Sequence, residues 1–367
     1  MMKPRRVTSQ DVADAAGVSR TTVSLVINKV PGAQISEETR RRVIAAALEL
    51  GYVPDAAARA LVSRRSQIIG LVLARRPGQV ATDGFLTQIL DGLLEVVHNS
   101  DLRLLFDIVD PEHQKKAYLE LVRAKHIDGI ILSGPRFDDE ALLALEKDKV
   151  PVVLIGRLPG SDIPSVDIDN CSAARTAVEH LIKLGHSRIA CITNASLSYT
   201  AAADRLTGYR TALEGAGIPY DQRLVRFGDF NVESGYKQMH ILLNKKVHFT
   251  AIFVASDEVA LGVKAAIREH GLRIPQDIAM VAFDDLPISA YVDPPLTTIA
   301  VPAVQLARQA SAMLIKLLKN EELSHRQLIL NSSLQIRMSC GAKLMDTNNV
   351  QSRHQNNLLV NKGGSIE

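Results

Sequence analysis

The sequence predicts a small α-helical head, a helix-turn-helix with a short hinge segment, followed by two doubly wound α/β lobes. Three observations carry this. The first is a pair of short amphipathic stretches, "VTSQDVADAA" and "RTTVSLVIN", joined by "GVS". The second is a change of texture after Ser66, where apolar runs begin to alternate with amphipathic helical stretches. The third is length: 367 residues exceed what one ordinary core organises, so two or three domains are expected.

In the head, Thr8 or Ser9 caps a helix whose inner face is Val12, Ala15 and Ala16. Gly17 ends it in the left-handed geometry that glycine tolerates. Ser19 caps the second helix, in which Val23, Val26 and Ile27 repeat at buried spacing while Arg20, Thr21 and Ser24 face away. Ser36 opens a third, "SEETRRRVIAAALEL", with acids in its first turn, where the helix dipole favours them. Val43, Ala46, Ala47 and Leu50 point inward and Gly51 closes it. In "YVPDAAARALVSRRS" Pro54 breaks, Asp55 caps, and 56–62 has room for about two turns of helix, too few to stand without a partner.

The runs "QIIGLVLA", "LRLLFDI", "DGIIL" and "VPVVLIG" read as buried parallel strands, with helices near 84–99, 112–125 and 138–148. A second series, "SRIACIT", "TAIFVAS" and "DIAMVAF", has helices near 202–216, 231–244 and 257–271. Right-handed crossovers make each series a doubly wound lobe. Ligands of such sheets sit beyond the carboxyl ends of the strands, so the cleft between lobes is the expected site. The expected domains are 1–53 for the head, 54–66 for hinge helix and linker, 67–342 for the two lobes, and 343–367 for a polar, Asn-rich, disordered tail.

Net charge is +3, unevenly spread: through Arg65, eleven Lys and Arg face six Asp and Glu, which leaves the remainder at −2. A basic head on a mildly acidic body fits a nucleic-acid module joined to something else. Three cysteines, Cys171, Cys191 and Cys340, have neither metal-ligand spacing nor a disulfide framework and are expected as reduced, buried thiols. His180 and His186 read as a helix-end pair, not as ligands. No run is long and apolar enough to span a membrane and the amino terminus lacks a secretory pattern, so a cytoplasmic protein with no membrane partner is expected. Nucleophile-elbow, dinucleotide-fingerprint, P-loop and metal motifs are all absent, so no catalytic residue, metal or cofactor is expected.

Eight stretches in order, "VTSQDVADAAGVSRTTVSLVIN", "ISEETRRRVIAAALELGYVPDAAARAL", "IIGLVL", "VEHLIKLGHSRIACI", "DRLTGYRTAL", "ASDEVALG", "VAFDD" and "PPLTTI", resemble the LacI/GalR family of bacterial transcriptional regulators. The resemblance runs from about Val7 to Gly341. It implies lobes like those of periplasmic sugar-binding proteins. It further implies a homodimer on a near-palindromic double-stranded operator, with second helices in successive major grooves and the hinge helix forming on the correct DNA. The effector it implies is a small molecule, most often a sugar or sugar derivative, bound between the lobes. Some family members, global carbon regulators, answer instead to a protein partner, and that alternative stays open.

On this reading Arg20 and Thr21 face base edges, where an Arg–guanine pair is worth ~1–3 kcal/mol of discrimination. Thr8, Ser19, Thr22, Asn28 and Ser36 hold phosphates. Leu25 departs from the arginine many relatives carry after "TVS", so it reads a thymine methyl or nothing. Leu61 matches the family's minor-groove wedge, the alternative being packing against a partner's hinge helix. Arg205 and Asp284 match recurrent ligand-contacting positions, with Asp257 and Phe85 as further effector residues. A structural ion pair for Arg205, a loop cap for Asp284 and a core role for Phe85 remain alternatives.

Overall fold

The structure, a computed structural model, describes residues 7–28, 32–53, 65–76, 78–80, 83–109, 114–123, 126–245 and 247–342. They fall into two compact units, one ending at Gln67 and taking in 126–128, the other beginning at Ile68. The expected hinge helix with Asp55 and the wedge Leu61, and the expected tail from 343, lie outside the described residues.

In the first unit, α1 (Ser9–Ala16), α2 (Arg20–Ile27) and α3 (Glu37–Glu49) enclose a core of Val12, Ala13, Ala16, Val23, Val26, Val43, Ala46 and Ala47. Each helix starts at a hydroxyl cap: Thr8 accepts from the Asp11 amide, Ser19 from Thr22, and Ser36 from Thr39. Gly17 ends α1 at φ +63°, its amide reaching the Ala13 and Asp14 carbonyls. Two inward assignments change. Ala13, not Ala15, faces the core, because α2 and α3 pack on the side of α1 that carries Val12, Ala13 and Ala16. Leu50 is exposed, as are Ile44 and Leu48, because it caps α3 after the last turn that reaches Val12 and Val23.

The second unit holds two six-stranded sheets. Elements of the first are β1 (Ile68–Ala74), α4 (Gly84–His98), β2 (Arg103–Val109), α5 (Gln114–Arg123), β3 (Gly129–Ser133), α6 (Glu140–Lys147), β4 (Val152–Ile155) and β5 (Ser165–Ile168). The chain continues with α7 (Asn170–Lys183), β6 (Ile189–Thr193), α8 (Thr200–Gly215), β7 (Val225–Phe227), α9 (Val232–Asn244), β8 (Ala251–Val254), α10 (Asp257–Glu269), β9 (Ala279–Asp284) and β10 (Thr297–Ala300). Last come α11 (Ala303–Leu318), β11 (Gln327–Leu330) and β12 (Ser333–Gln335).

Sheet order is β11-β5-β4-β3-β1-β2 in the first lobe, all parallel, and β12-β10-β9-β8-β6-β7 in the second, where only β12 is antiparallel. The lobes are therefore not sequential halves. After β10 the chain returns to the first lobe, where α11 packs on α4 and β11 pairs with β5, then leaves again for β12. Three short connections, after β5, β10 and β11, join the lobes. A chain crossing three times allows rotation about the crossings while opposing separation. The two helix pairs that stiffen the lobes touch through glycine: an added Cβ at Gly92 would lie 2.4 Å from the Val304 carbonyl oxygen, and one at Gly262 1.8 Å from that of Val232.

Candidate nucleic-acid interface and ligand cleft

The amino-terminal turn of α2 gathers polar side chains on one exposed surface. Arg20 and Thr21 are exposed, and Arg20 Nε donates to Ser9 Oγ at 3.1 Å, which steadies the arm over the start of α1. Ser19 is exposed and its hydroxyl meets that of Thr22 at 2.9 Å. Leu25 is half-buried, and Asn28 donates through Nδ2 to Ser24 Oγ at 3.1 Å. Thr8 and Ser36 stand at the starts of α1 and α3, where backbone amides favour anions. The head thus presents a two-helix surface with an exposed arginine at the leading turn of α2.

In the second unit the strand ends of both lobes converge on one cavity of about 910 Å3, part of it open to solvent. Its polar lining comes from residues just past strands: Arg75 after β1, Ser133 ending β3, Asp167 and Asn170 around the end of β5, Asn194 after β6, Ser256 after β8 and Asp284 ending β9. This is where a doubly wound sheet places ligands. Arg205, from α8, also lines it, as do Phe85 in the first turn of α4 and Tyr199 just before α8.

Arg205 is buried at the centre of a network. Its Nε donates to Asn170 Oδ1 at 2.9 Å and Nη1 to the Ala255 carbonyl at 2.6 Å. Nη1 also stands 3.6 Å from Asp284 Oδ1, and the guanidinium lies over the Phe283 ring. Asn170 in turn donates to Asp167 Oδ1 at 3.0 Å. Burial lifts the Asp284 carboxyl to about 8 against the pull of Arg205, and lifts Asp167 to about 6 against its own hydrogen bonds and Arg205. Burial likewise lowers Arg205. A site in which desolvation dominates on both signs of charge gains most from a ligand that brings hydrogen bonds.

Two of the six described non-glycine residues at positive φ line the cavity. Asp284 sits at φ +115° and Phe230 at φ +61°, conformations that cost a non-glycine residue ~1–3 kcal/mol. Phe230 is held there by its amide on the Asn194 carbonyl at 2.8 Å, with its ring edge-on to Tyr199 at 4.8 Å.

Of the effector residues expected from sequence, Arg205, Asp284 and Phe85 are brought together on the cavity. Asp257 is not. Its oxygens accept from Leu286 N (2.8 Å), Ser289 Oγ (2.6 Å) and Thr298 Oγ1 (2.6 Å), and it is fully buried, while its neighbours Ser256 and Glu258 line the cavity. Residues not singled out from sequence include Arg75, Asp83, Asp167, Asn170, Asn194, Tyr199, Phe230 and Glu258. Of these, Arg75 and Asn194 follow directly on an apolar strand run, a signal that would have found them. Of the cysteines, Cys191 and Cys340 are buried and Cys171 only half-buried, and all three are free. His180 meets Cys340 Sγ at 3.3 Å and His186 the Thr250 hydroxyl at 2.9 Å, both structural contacts.

A family model described as bacterial regulatory proteins, lacI family, matches residues 8–55, and one described as a periplasmic binding protein-like domain matches 178–340. The HTH-type transcriptional regulator CelR of Thermobifida fusca is 34% identical over 342 residues, covering 92% of this chain and all of that protein. A solved CelR–cellobiose complex superposes with a TM-score of 0.69 at 33% identity, over 91% of this chain and 100% of that one. The lac repressor dimer bound to operator and an anti-inducer gives a TM-score of 0.80 at 31% identity, over 92% and 99%.

Proposed function

Because this chain belongs to the LacI family of bacterial regulatory proteins, we propose that it is a cytoplasmic homodimeric repressor, without enzymatic activity, whose hold on a near-palindromic operator is set by a hydroxyl-rich effector in the cleft. The observation that carries the effector half is the cavity itself: strand ends of two lobes, two strained residues and an under-solvated Arg205–Asp284 pair meet at one place. In the head, Arg20 and Thr21 read base edges, Leu25 reads a thymine methyl or nothing, and Thr8, Ser19, Thr22, Asn28 and Ser36 hold phosphates. In the cleft, Arg205, Asp284 and Phe85 bind the effector. The CelR complex with cellobiose supports a sugar as the class of ligand.

Binding between lobes that rotate about three crossings favours one inter-lobe angle, and only that difference in affinity can be passed to DNA binding. The test is selection of DNA sequences by the full-length protein, repeated with a panel of sugars and sugar phosphates. Enrichment of a palindrome that one compound alters is the expected result. Failure to enrich any sequence under every condition would overturn the reading of the head.

A further inference from the structure

Two polar atoms of the cavity wall have no hydrogen-bond partner among the described residues: the donor Arg75 Nε and the acceptor Asn194 Oδ1, on side chains more than nine-tenths buried. Leaving such groups unpaired is costly, so each marks a place where a ligand atom belongs. Arg75 is held rigidly. Its guanidinium lies 3.4 Å from the centre of the Phe230 ring, Nη1 donates to the Ala74 carbonyl at 3.2 Å, and Tyr199, whose hydroxyl donates to that same carbonyl at 2.7 Å, stacks 5.0 Å away. On another side residue 134 is glycine, at φ +74°, where a Cβ would stand 3.2 Å from Arg75 Nη2.

The groups around this slot point to the kind of ligand. Four carboxyl groups, Asp83, Asp167, Glu258 and Asp284, line the cavity against two guanidiniums, Arg75 and Arg205. Of the helix amino termini at the cavity, the usual seats for a phosphate, Asp83 caps α4 through the Leu86 amide, Asp169 caps α7 through the Ser172 amide, α10 carries Asp257 and Glu258 in its first turn, and α8, which follows Tyr199, has no side-chain cap. The open acceptor, Asn194 Oδ1, needs a donor, which a phosphate dianion does not have and a hydroxyl does.

We infer that Arg75 and Asn194 are ligand-binding residues that set specificity, Nε donating to and Oδ1 accepting from an uncharged polyhydroxylated effector, which the site selects over its phosphate ester. This rests on the reading of the cleft as an effector site. The phosphorylated form meets the carboxyl-rich wall.

The test is a thermal-shift screen of the full-length protein against glucose, galactose, cellobiose and cytidine, alongside glucose 6-phosphate, galactose 6-phosphate, cellobiose 6-phosphate and cytidine monophosphate. Titration calorimetry then follows on the hit with wild type, Arg75→Lys and Asn194→Ala. Lysine keeps a cation over Phe230 but has no donor in the guanidinium plane. An uncharged compound that stabilises where its ester does not, with either variant weakening it by ~10-fold or more, supports the inference. Should one variant fail to fold, the other carries the measurement. A phosphorylated compound that binds as well as its parent, or variants that bind like wild type, would overturn this inference and leave the cleft as an effector site. If no compound shifts the melting temperature, the sugar reading itself fails, and this inference with it.

Discussion

Replacing Asp257 separates a structural carboxylate from a ligand-binding one. The side chain accepts three hydrogen bonds from donors on the loop after β9, on the turn at Ser289 and on β10, and the Asp257, Ser289 and Thr298 side chains have no solvent access to replace them. Removing the carboxylate strands one backbone amide and two hydroxyls. At ~1–3 kcal/mol for each unsatisfied buried group, with partial relaxation, Asp257→Ala is expected to cost ~3–6 kcal/mol. Part of that is offset, because burial has already raised the carboxyl to about 6, so keeping it charged is itself unfavourable. Asp257→Asn keeps one acceptor, and Ser289 can turn its hydroxyl to accept from the new amide, leaving mainly the Leu286 amide opposed, a loss of ~1–3 kcal/mol. At ~2–4 °C per kcal/mol for a unit of this size, the alanine variant should melt at least ~6 °C lower by calorimetry and the asparagine variant should lie between it and wild type. An Asp257→Ala protein that melts with wild type yet loses its effector response would refute the argument, because it would make Asp257 a ligand contact.

Three further outcomes follow from the geometry. Arg20→Ala should lose ~1–3 kcal/mol of discrimination at one base pair of the selected operator, and Leu25→Arg should change the preferred base at a neighbouring step; fluorescence anisotropy on single-base operator variants reads both. Gly262→Ala drives a Cβ into the Val232 carbonyl and should cost ~1–3 kcal/mol by urea denaturation followed by circular dichroism. Gly215→Ala, also helical but with open space around it, should be neutral or slightly stabilising in the same assay. The Asp284 carboxyl sits at about 8 in the folded chain against an ordinary 3.8, so folding takes up a proton between those values and stability falls as pH rises through that window. The contribution is at most ~1.4 kcal/mol per pH unit, so the stability of wild type relative to Asp284→Asn should rise from about pH 8 down to about pH 6; a relative stability unchanged between the two would contradict the assignment.

The head was legible because its signals are local. Caps at Thr8, Ser19 and Ser36 bond amides three residues on, and Gly17 closes a turn with carbonyls three and four residues back. The apolar strand runs were equally plain, since burial on both faces leaves little room for polar residues in β1, β3, β4 and β6. Even so, β5, β10, β11 and β12 are three or four residues long and were not separated from their surroundings.

What sequence determined here is everything written within a turn or a strand: the helix-turn-helix, the order of the apolar strands, the basic bias of the head, and the Arg205 and Asp284 positions carried by their motifs. Tertiary structure decided the rest. Asp257 and Glu258 are adjacent in one acidic pair, yet the first turns inward to partners 29, 32 and 41 residues later while the second faces the cavity. The return of α11 and β11 to the first lobe, and the meeting of Arg75 from that lobe with Phe230 from the other, rest on contacts between segments more than a hundred residues apart. Local periodicity tells which face of an element is apolar; which polar group at its end is left for a ligand depends on the partners that distant chain brings to it.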